Sequence, residues 1–348
     1  MRRVWAVAAA AVLLGACGGG MPSRSDVLGD LADDYIVPAY QQFHRDAVAL
    51  ADSLSALCAS PRSGLLSDAR TTLAAVRICW SRAQAVWVGP VMERRSWGLV
   101  RWPVANDEIE ALIADASIEL DHERLSSRIG ADQRGIGAVD YLLGSGEQAL
   151  GALGDSRRCR YLEGVAAVIA AEAALLEADW ALGWEGGEPY RDAFADADRG
   201  DLDRVVNDTL FLLERITDLE LGNALGIMSA DADPLAVDEG PAGAGVDDLQ
   251  QRLIGIQAVL SGVGDDPAGL SPLLGDDLTD RLAGQFEAAF DAVGAVGPPL
   301  RHAVADAPQT VIEAREAIKA IQITVATEVV SRLGVVIGFS DADGDSSG

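Results

Sequence analysis

The chain has 348 residues, of which 49 % are hydrophobic and only 5 % aromatic; it can bury a sizeable core, and its Ala, Leu, Val and Ile content favours helices over sheets. It carries 54 acidic against 27 basic residues, a formal net charge of −27, which argues against binding of nucleic-acid backbones. The length allows two packed units or one large one. Lys319 is the only lysine, read here as compositional bias of the source genome.

Arg2 and Arg3 precede an apolar run, Val4 to Leu14, that is too short for a permanent membrane span and suits the core of an export signal. Leu14-Gly15-Ala16-Cys17 closes the run and looks like a bacterial lipoprotein box, in which Cys17 becomes the lipidated first residue of the mature protein. The alternative is an ordinary signal with a cysteine there by chance. Residues 1–17 are therefore expected to be a signal peptide, and residues 18–29, with Gly18-Gly19-Gly20 and Pro22-Ser23-Arg24-Ser25, a flexible tether. Loss of the two signal arginines takes the formal charge to −29. No later segment is apolar enough to span a membrane. The body is expected to be exported and held to a membrane by an acyl anchor, facing the periplasm or the cell surface. Beyond Cys17 there are Cys58, Cys79 and Cys159, without CxxC or Cys/His zinc spacing, so one disulfide can form and the residues alone do not choose the pair.

Along the body the periodicity predicts a helix from Asp26 to Ala59, with Leu28, Leu31, Tyr35, Val48 and Leu54 in its apolar set and Pro38 kinking or splitting it. A second helix, capped by Ser67, is predicted to about Trp87, with Leu73, Val76, Trp80 and Gln84 on one side, until Gly89-Pro90 stops it. Met92 to Val104 is an Arg- and Trp-rich loop. Short helices are predicted from Asn106 to Ile113, from Ile118 to Arg128 and over Gly135 to Leu143, then a long one from a Ser156 cap to about Leu182. Further helices are predicted over Asp201 to Leu221, with Val205, Leu212, Ile216 and Leu219 apolar, over Val246 to Leu260, over Leu278 to Val293, and from Pro308 to about Leu333. In the last of these Ile318, Ile321, Val325 and Val329 follow at spacings of 3, 4 and 4. No stretch shows the strict alternation of a strand hairpin. The fold class is all-α, as two antiparallel helical bundles over residues 30–190 and 191–345, joined near 185–200.

Several stretches, in this order, resemble the imelysin-like family of bacterial exported proteins: Tyr35-Ile36-Val37-Pro38-Ala39-Tyr40; the run Trp80 to Pro90 with Arg95, Arg101 and Trp102-Pro103; Gly135-Ile136-Gly137-Ala138-Val139-Asp140-Tyr141-Leu142-Leu143, where the family carries Gly-x-His-x-x-Glu; Leu221-Gly222-Asn223-Ala224-Leu225-Gly226; and Gly338-Phe339-Ser340-Asp341-Ala342-Asp343-Gly344-Asp345. The resemblance covers roughly residues 30–345. It implies two antiparallel helical bundles, a link to periplasmic iron uptake or metal handling, a classification among metallopeptidases, and a Cys58–Cys159 disulfide that leaves Cys79 free and buried as a small apolar residue.

The sequence departs from the family at the motif itself. His and Glu three apart on a helix present a nitrogen and an oxygen to one metal. Here the His position is Gly137, which offers no ligand, and the Glu position is Asp140. Any cation, iron or another divalent or trivalent ion, would have to be held by oxygens, with Glu93, Asp107 and Glu108 as candidate companions of Asp140. The plainer reading pairs Asp140 with an arginine or has it cap the next segment. Arg94, Arg95, Trp97, Arg101 and Trp102 form the densest cationic and aromatic cluster; they read either as a pocket for an anionic ligand or as a buried loop held by Arg–Asp pairs and Trp packing. His44, His122 and His302 lie far apart and read as surface or partly buried residues. The Asp341–Asp345 run departs from the EF-hand pattern and reads as a C-terminal turn.

A zinc peptidase needs about three protein ligands, an open coordination position and a general base. The chain has no His-Glu-x-x-His and no Gly-x-Ser-x-Gly. The expectation is an envelope protein that binds a metal or small ligand, is linked to iron uptake and has proteins of such a system as partners. The alternative is a non-catalytic interaction module that has lost metal binding, with a metallopeptidase third.

Overall fold

Ser23 sets the first helix of the computed structural model, which describes residues 22–184, 186–196, 200–229, 231–262 and 269–338. Its Oγ accepts the Asp26 amide at 3.1 Å while the Asp26 carboxylate accepts the Ser23 amide at 3.0 Å, a reciprocal capping box. Helix α1 (Arg24–Leu31) follows with Val27, Leu28 and Leu31 buried. The tether expected over 18–29 is therefore corrected: from Arg24 on the chain is helical, because the capping box and three core contacts outweigh the polar composition. The signal peptide with Cys17, the run after Gly338 and part of the 185–200 joint lie outside the described residues.

Pro38 has no N–H to give the carbonyl four residues earlier. The helix meets this by opening one π turn, Ala32–Ile36, where the Val37 amide reaches back to the Ala32 carbonyl, and it continues as α2 (Val37–Ala59). Tyr40, Phe43, Ala47, Leu50, Leu54 and Leu57 form its buried stripe, whereas Val48, expected in the stripe, is 42 % exposed. Helix α3 (Ser63–Ala83) begins before Ser67, and Leu73, Val76, Trp80 and Gln84 are all buried as predicted. Next come α4 (Asn106–Ala114), a short turn of helix at His122–Arg128 capped by Asp121, α5 (Ile136–Leu143) and α6 (Ser156–Ala181), which Asp155 caps instead of Ser156. Of the stretch predicted from Ile118, only His122–Arg128 is helical.

In the second half, α7 (Asp201–Glu214) runs through a π turn at Arg215–Glu220 into Leu221–Ala224. Helix α8 (Gly245–Ser261) ends at Gly262, whose φ of +80° suits glycine. Helices α9 (Asp276–Gly294) and α10 (Pro308–Thr324) follow, and α10 passes through a π turn, Val325–Val329, to Val330–Leu333. Ile318, Ile321, Val325 and Val329 are fully buried. The described residues contain no strand.

Helix α2 packs between α3 and α6; α9 packs between α8 and α10; α7 lies on α10. The core crosses residue 190 through α3 against α8. That contact is close because Gly255 of α8 lies on the Arg82 backbone carbonyl, where any Cβ would collide. Cys58, at the end of α2, is bonded to Cys159, at the start of α6, with Cα atoms 5.5 Å apart. Cys79 is free but only half-buried, and its thiol donates to the Asp46 carboxylate at 3.1 Å. Burial, reinforced by Asp46, pushes the Cys79 thiol up to about 12, which keeps it a protonated, unreactive thiol at neutral pH.

Candidate functional site

Helix α5 is buried along nearly its whole length because it packs among α3, α4 and α6. Ile136, Gly137, Ala138, Val139, Asp140, Leu142 and Leu143 are all buried. A Cβ at Gly137 would meet Val104 Cγ2 at 2.9 Å, the Arg101 carbonyl at 3.5 Å and the Trp102 ring at 3.6 Å. The Arg/Trp loop therefore fills the space that a side chain at position 137 would need. On the far side, Gly240 presses against both the Asp140 carboxylate and the Trp102 ring, which only a residue without a Cβ permits.

Asp140 is 1 % exposed. Its Oδ1 lies 3.7 Å from Arg77 Nη1, and its Oδ2 accepts the Ala242 amide at 3.5 Å. Arg77, from α3, also pairs with Asp248 of α8, so one guanidinium joins α3, α5 and α8. Burial pushes the carboxyls of Asp140 and Asp248 upward, and the Arg77 charge works against that rise. Burial also opposes the charge of Arg77, but Asp248 and Asp140 together hold its proton more firmly than usual.

These groups line a cavity of about 560 Å³ with Arg70, Asp247 and Gln251. Arg70 Nη2 donates to the carbonyls of Leu143 and Gly146 at 2.8 Å each, closing the C-terminal end of α5, while its buried Nε has no acceptor. Beside the cavity lies a second buried pair. Arg252, 1 % exposed, gives Nη1 to Glu220 Oε2 at 2.6 Å and Nη2 to Glu220 Oε1 at 3.0 Å. Burial raises the Glu220 carboxyl and Arg252 opposes it, a two-hydrogen-bond geometry suited to a buried ion pair. Asp238 lies 3.8 Å from Arg252 and 2.5 Å from Arg215. Glu239 accepts the amides of Gly245, Leu300 and Arg301 at 3.2, 2.8 and 2.9 Å, a structural clamp on two chain turns.

The structure brings Asp140 and Trp102 together and leaves the other expected site residues apart. Glu93, Asp107 and Glu108 are exposed and do not line the Asp140 cavity. Arg95 is exposed and left-handed, at φ +60°; Arg101 is exposed and contributes only its carbonyl beside Gly137; Trp97 is 36 % exposed. Arg94 pins the loop to α6 through Glu172 at 3.0 Å and Asp179 at 3.4 Å. His44 contacts Glu177 at 2.6 Å, and His122 and His302 are exposed. Arg70, Arg77, Glu220, Asp248 and Arg252 escaped the sequence reading. Their signal was charge inside an apolar stripe: Arg77 between Val76 and Trp80, and Arg252 between Leu249 and Leu253.

The metal that the family motif implies does not fit this donor set. Gly137 supplies nothing, Val104 occupies its side-chain space, and Asp140 already faces a guanidinium. Among the described residues no three His, Cys, Asp or Glu side chains group so as to hold an ion.

The imelysin (peptidase M75) family matches residues 36–327. A crystal structure named as that of a candidate iron-regulated protein A precursor, from Parabacteroides distasonis, superposes with a TM-score of 0.76 at 18 % identity, covering 90 % of this chain and 97 % of that one. An imelysin-like protein from Psychrobacter arcticum gives 0.73 at 20 % identity, covering 91 % and 97 %. No curated protein matches the chain. These likenesses carry the helical fold. Among the described residues no helix is long and apolar enough to cross a membrane.

Proposed function

This chain belongs to the imelysin family, and on that premise we propose that it is a non-catalytic binding protein of the cell envelope whose Asp140 cavity takes a small polar ligand, with Arg77 standing where the family motif implies a cation. The observation that carries this reading is the Arg77 guanidinium set against both Asp140 and Asp248. Shared between two carboxylates, this guanidinium leaves at most one negative charge for a metal, and expelling it to open a coordination position would strand both acids without their cation. Arg70 and Arg77 on one wall, with Asp140, Asp247 and Asp248 on the other, instead offer donors and acceptors side by side to a ligand bearing both.

Calorimetry on chelator-treated protein with ferric, ferrous, zinc and calcium ions tests the proposal. We expect no stoichiometric heat beyond weak, salt-sensitive attraction to the acidic surface. Tight one-to-one binding abolished by Asp140→Asn would overturn it. The same residues support no hydrolytic role, since nothing at position 137 or 140 leaves a metal-bound water to activate. Chelator-sensitive cleavage of a generic protein substrate would refute that.

The lipoprotein box at Cys17 motivates an acyl anchor; palmitate labelling lost in Cys17→Ser is the expected result. A similar structure bears the name of an iron-regulated protein. For this chain that motivates a place beside the envelope proteins of iron uptake, tested by protein abundance rising on iron limitation and by co-purification with the acylated protein.

A further inference from the structure

A second cavity, of about 730 Å³, lies away from Asp140 and shares none of its lining. Trp87, Met92, Tyr190, Leu210, Phe211 and Ile337 give it apolar and aromatic walls. The walls are built rather than incidental. Trp87 is backed by Trp80 at a ring separation of 5.5 Å, and Gly89, at φ +59°, lets the Tyr190 ring approach where any Cβ would collide. Phe211, Met92 and Ile337 stay 36, 52 and 41 % exposed, so the apolar surface around the cavity has not been spent on the core.

The charges that face this cavity are mainly negative. Asp208, Glu93 and Glu214 line it, and the cation at its edge, Arg204, is held by Asp201 at 2.6 Å. Asp208 accepts the Trp87 amide at 2.8 Å, and among the described residues no cationic side chain pairs with it. A half-buried carboxylate on the cavity wall, with one amide donor and no cationic side chain paired to it among the described residues, can take its counter-charge from a ligand.

We propose that this cavity binds a small organic cation, a free amine whose ammonium head meets the Asp208 carboxylate and whose apolar body lies among Trp87, Met92 and Phe211. The aromatic faces add cation–π attraction to the charge-assisted hydrogen bond. The neighbouring acids exclude anionic ligands. They also disfavour a lipid ammonium, whose phosphate would sit against Glu93 and Glu214. The site would load best in neutral to alkaline medium, because burial pushes the empty Asp208 carboxyl up to about 7.

The test is titration of the full mature chain, followed by tryptophan fluorescence and calorimetry, with 2-phenylethylammonium and with 2-phenylethanol, which carries the same body and a hydroxyl head. At pH 8 the amine is expected to bind at least tenfold more tightly than the alcohol. Asp208→Asn keeps an oxygen for the Trp87 amide, so its melting temperature should hold while the preference for the amine disappears; Phe211→Ala should weaken both probes. Between pH 8 and pH 6 the amine affinity should fall about tenfold as the empty Asp208 takes up a proton. The other titratable groups near it are Tyr40 on α2, Glu93, Tyr190, Arg204 and Glu214, and a pH dependence that persists in Asp208→Asn would assign the effect to them and overturn this part. Equal affinity for amine and alcohol, undiminished amine binding in Asp208→Asn, or displacement of the amine by phosphatidylethanolamine vesicles would each overturn the proposal.

Discussion

Replacing Arg77 by methionine keeps most of the side chain's volume and removes the guanidinium that faces Asp140 and Asp248. Asp140 is then left buried, and Asp248 half-buried, without that counter-charge. Breaking a buried ion pair from one side costs about 3–5 kcal/mol, because the stranded charge keeps its desolvation penalty. At about 2 °C per kcal/mol for a chain of this size, the melting temperature at pH 8 should fall by ~6–10 °C. The sign of the pH dependence follows from the shifts. The carboxyls of Asp140 and Asp248 are already raised by burial above their unfolded values, with Arg77 opposing the rise. Without Arg77 they rise further. A group whose folded pKa exceeds its unfolded pKa favours the folded state in acid and loses that contribution as pH rises through the folded value. The variant should therefore approach the parent near pH 4 and fall away as the pH rises towards 8, with a slope of up to about 1.4 kcal/mol per pH unit for each proton involved. Urea melts at several pH values, with m checked for constancy, read this directly. Adding Asp140→Asn and Asp248→Asn to the variant should recover much of the loss. A deficit below about 1 kcal/mol at pH 8, or one equal at pH 4.5 and pH 8, would refute the assignment of Arg77 as the neutralising charge.

Gly137→His should not restore metal binding: the Cβ alone meets Val104 at 2.9 Å, so the imidazole overpacks the loop, and stability should drop by ~1–3 kcal/mol without stoichiometric zinc uptake in calorimetry. Cys58→Ser with Cys159→Ser opens a cross-link across 101 residues and should cost ~2–5 kcal/mol in urea melts, matched by the parent under full reduction. Asp107→Asn and Glu108→Gln sit exposed on the first turn of α4 and should change stability by less than about 0.5 kcal/mol, with ligand binding at the Asp140 cavity unaltered.

Helices were legible wherever a stripe of branched apolar residues repeats at three- and four-residue spacing, because burial of that stripe is what holds them. Ile318, Ile321, Val325 and Val329 are buried as the spacing says, and so are Leu73, Val76, Trp80 and Gln84. Helix starts were less legible, since a cap is a single hydrogen bond that neighbouring residues compete for. Asp155 takes the cap that Ser156 could have made, and Asp26 with Ser23 begins a helix inside what reads as tether. The π turns were invisible. Each inserts one residue into a helical repeat, and at Pro38 the cause is an absent N–H whose effect falls on the turn before it.

The site was legible on one side only. Gly137 and Asp140 stand out because a motif position is empty and its neighbour retains a carboxylate, but sequence spacing within one short helix says nothing about what faces it. The partner comes from α3, 63 positions away from Asp140, and the third member, Asp248, from α8 in the other half of the chain. Such charges can be suspected when they interrupt an apolar stripe, as Arg77 and Arg252 do, since burying a guanidinium without a carboxylate costs more than a helix of this size gains. That argument also orders the changes at the site. A glycine at 137 lets the loop at Val104 and Trp102 close over α5, the closure dries Asp140, and a dried carboxylate requires a fixed cation. An arginine delivered by a rigid helix meets that requirement permanently, and it does so here for Asp140 and Asp248 together, on the wall of one cavity.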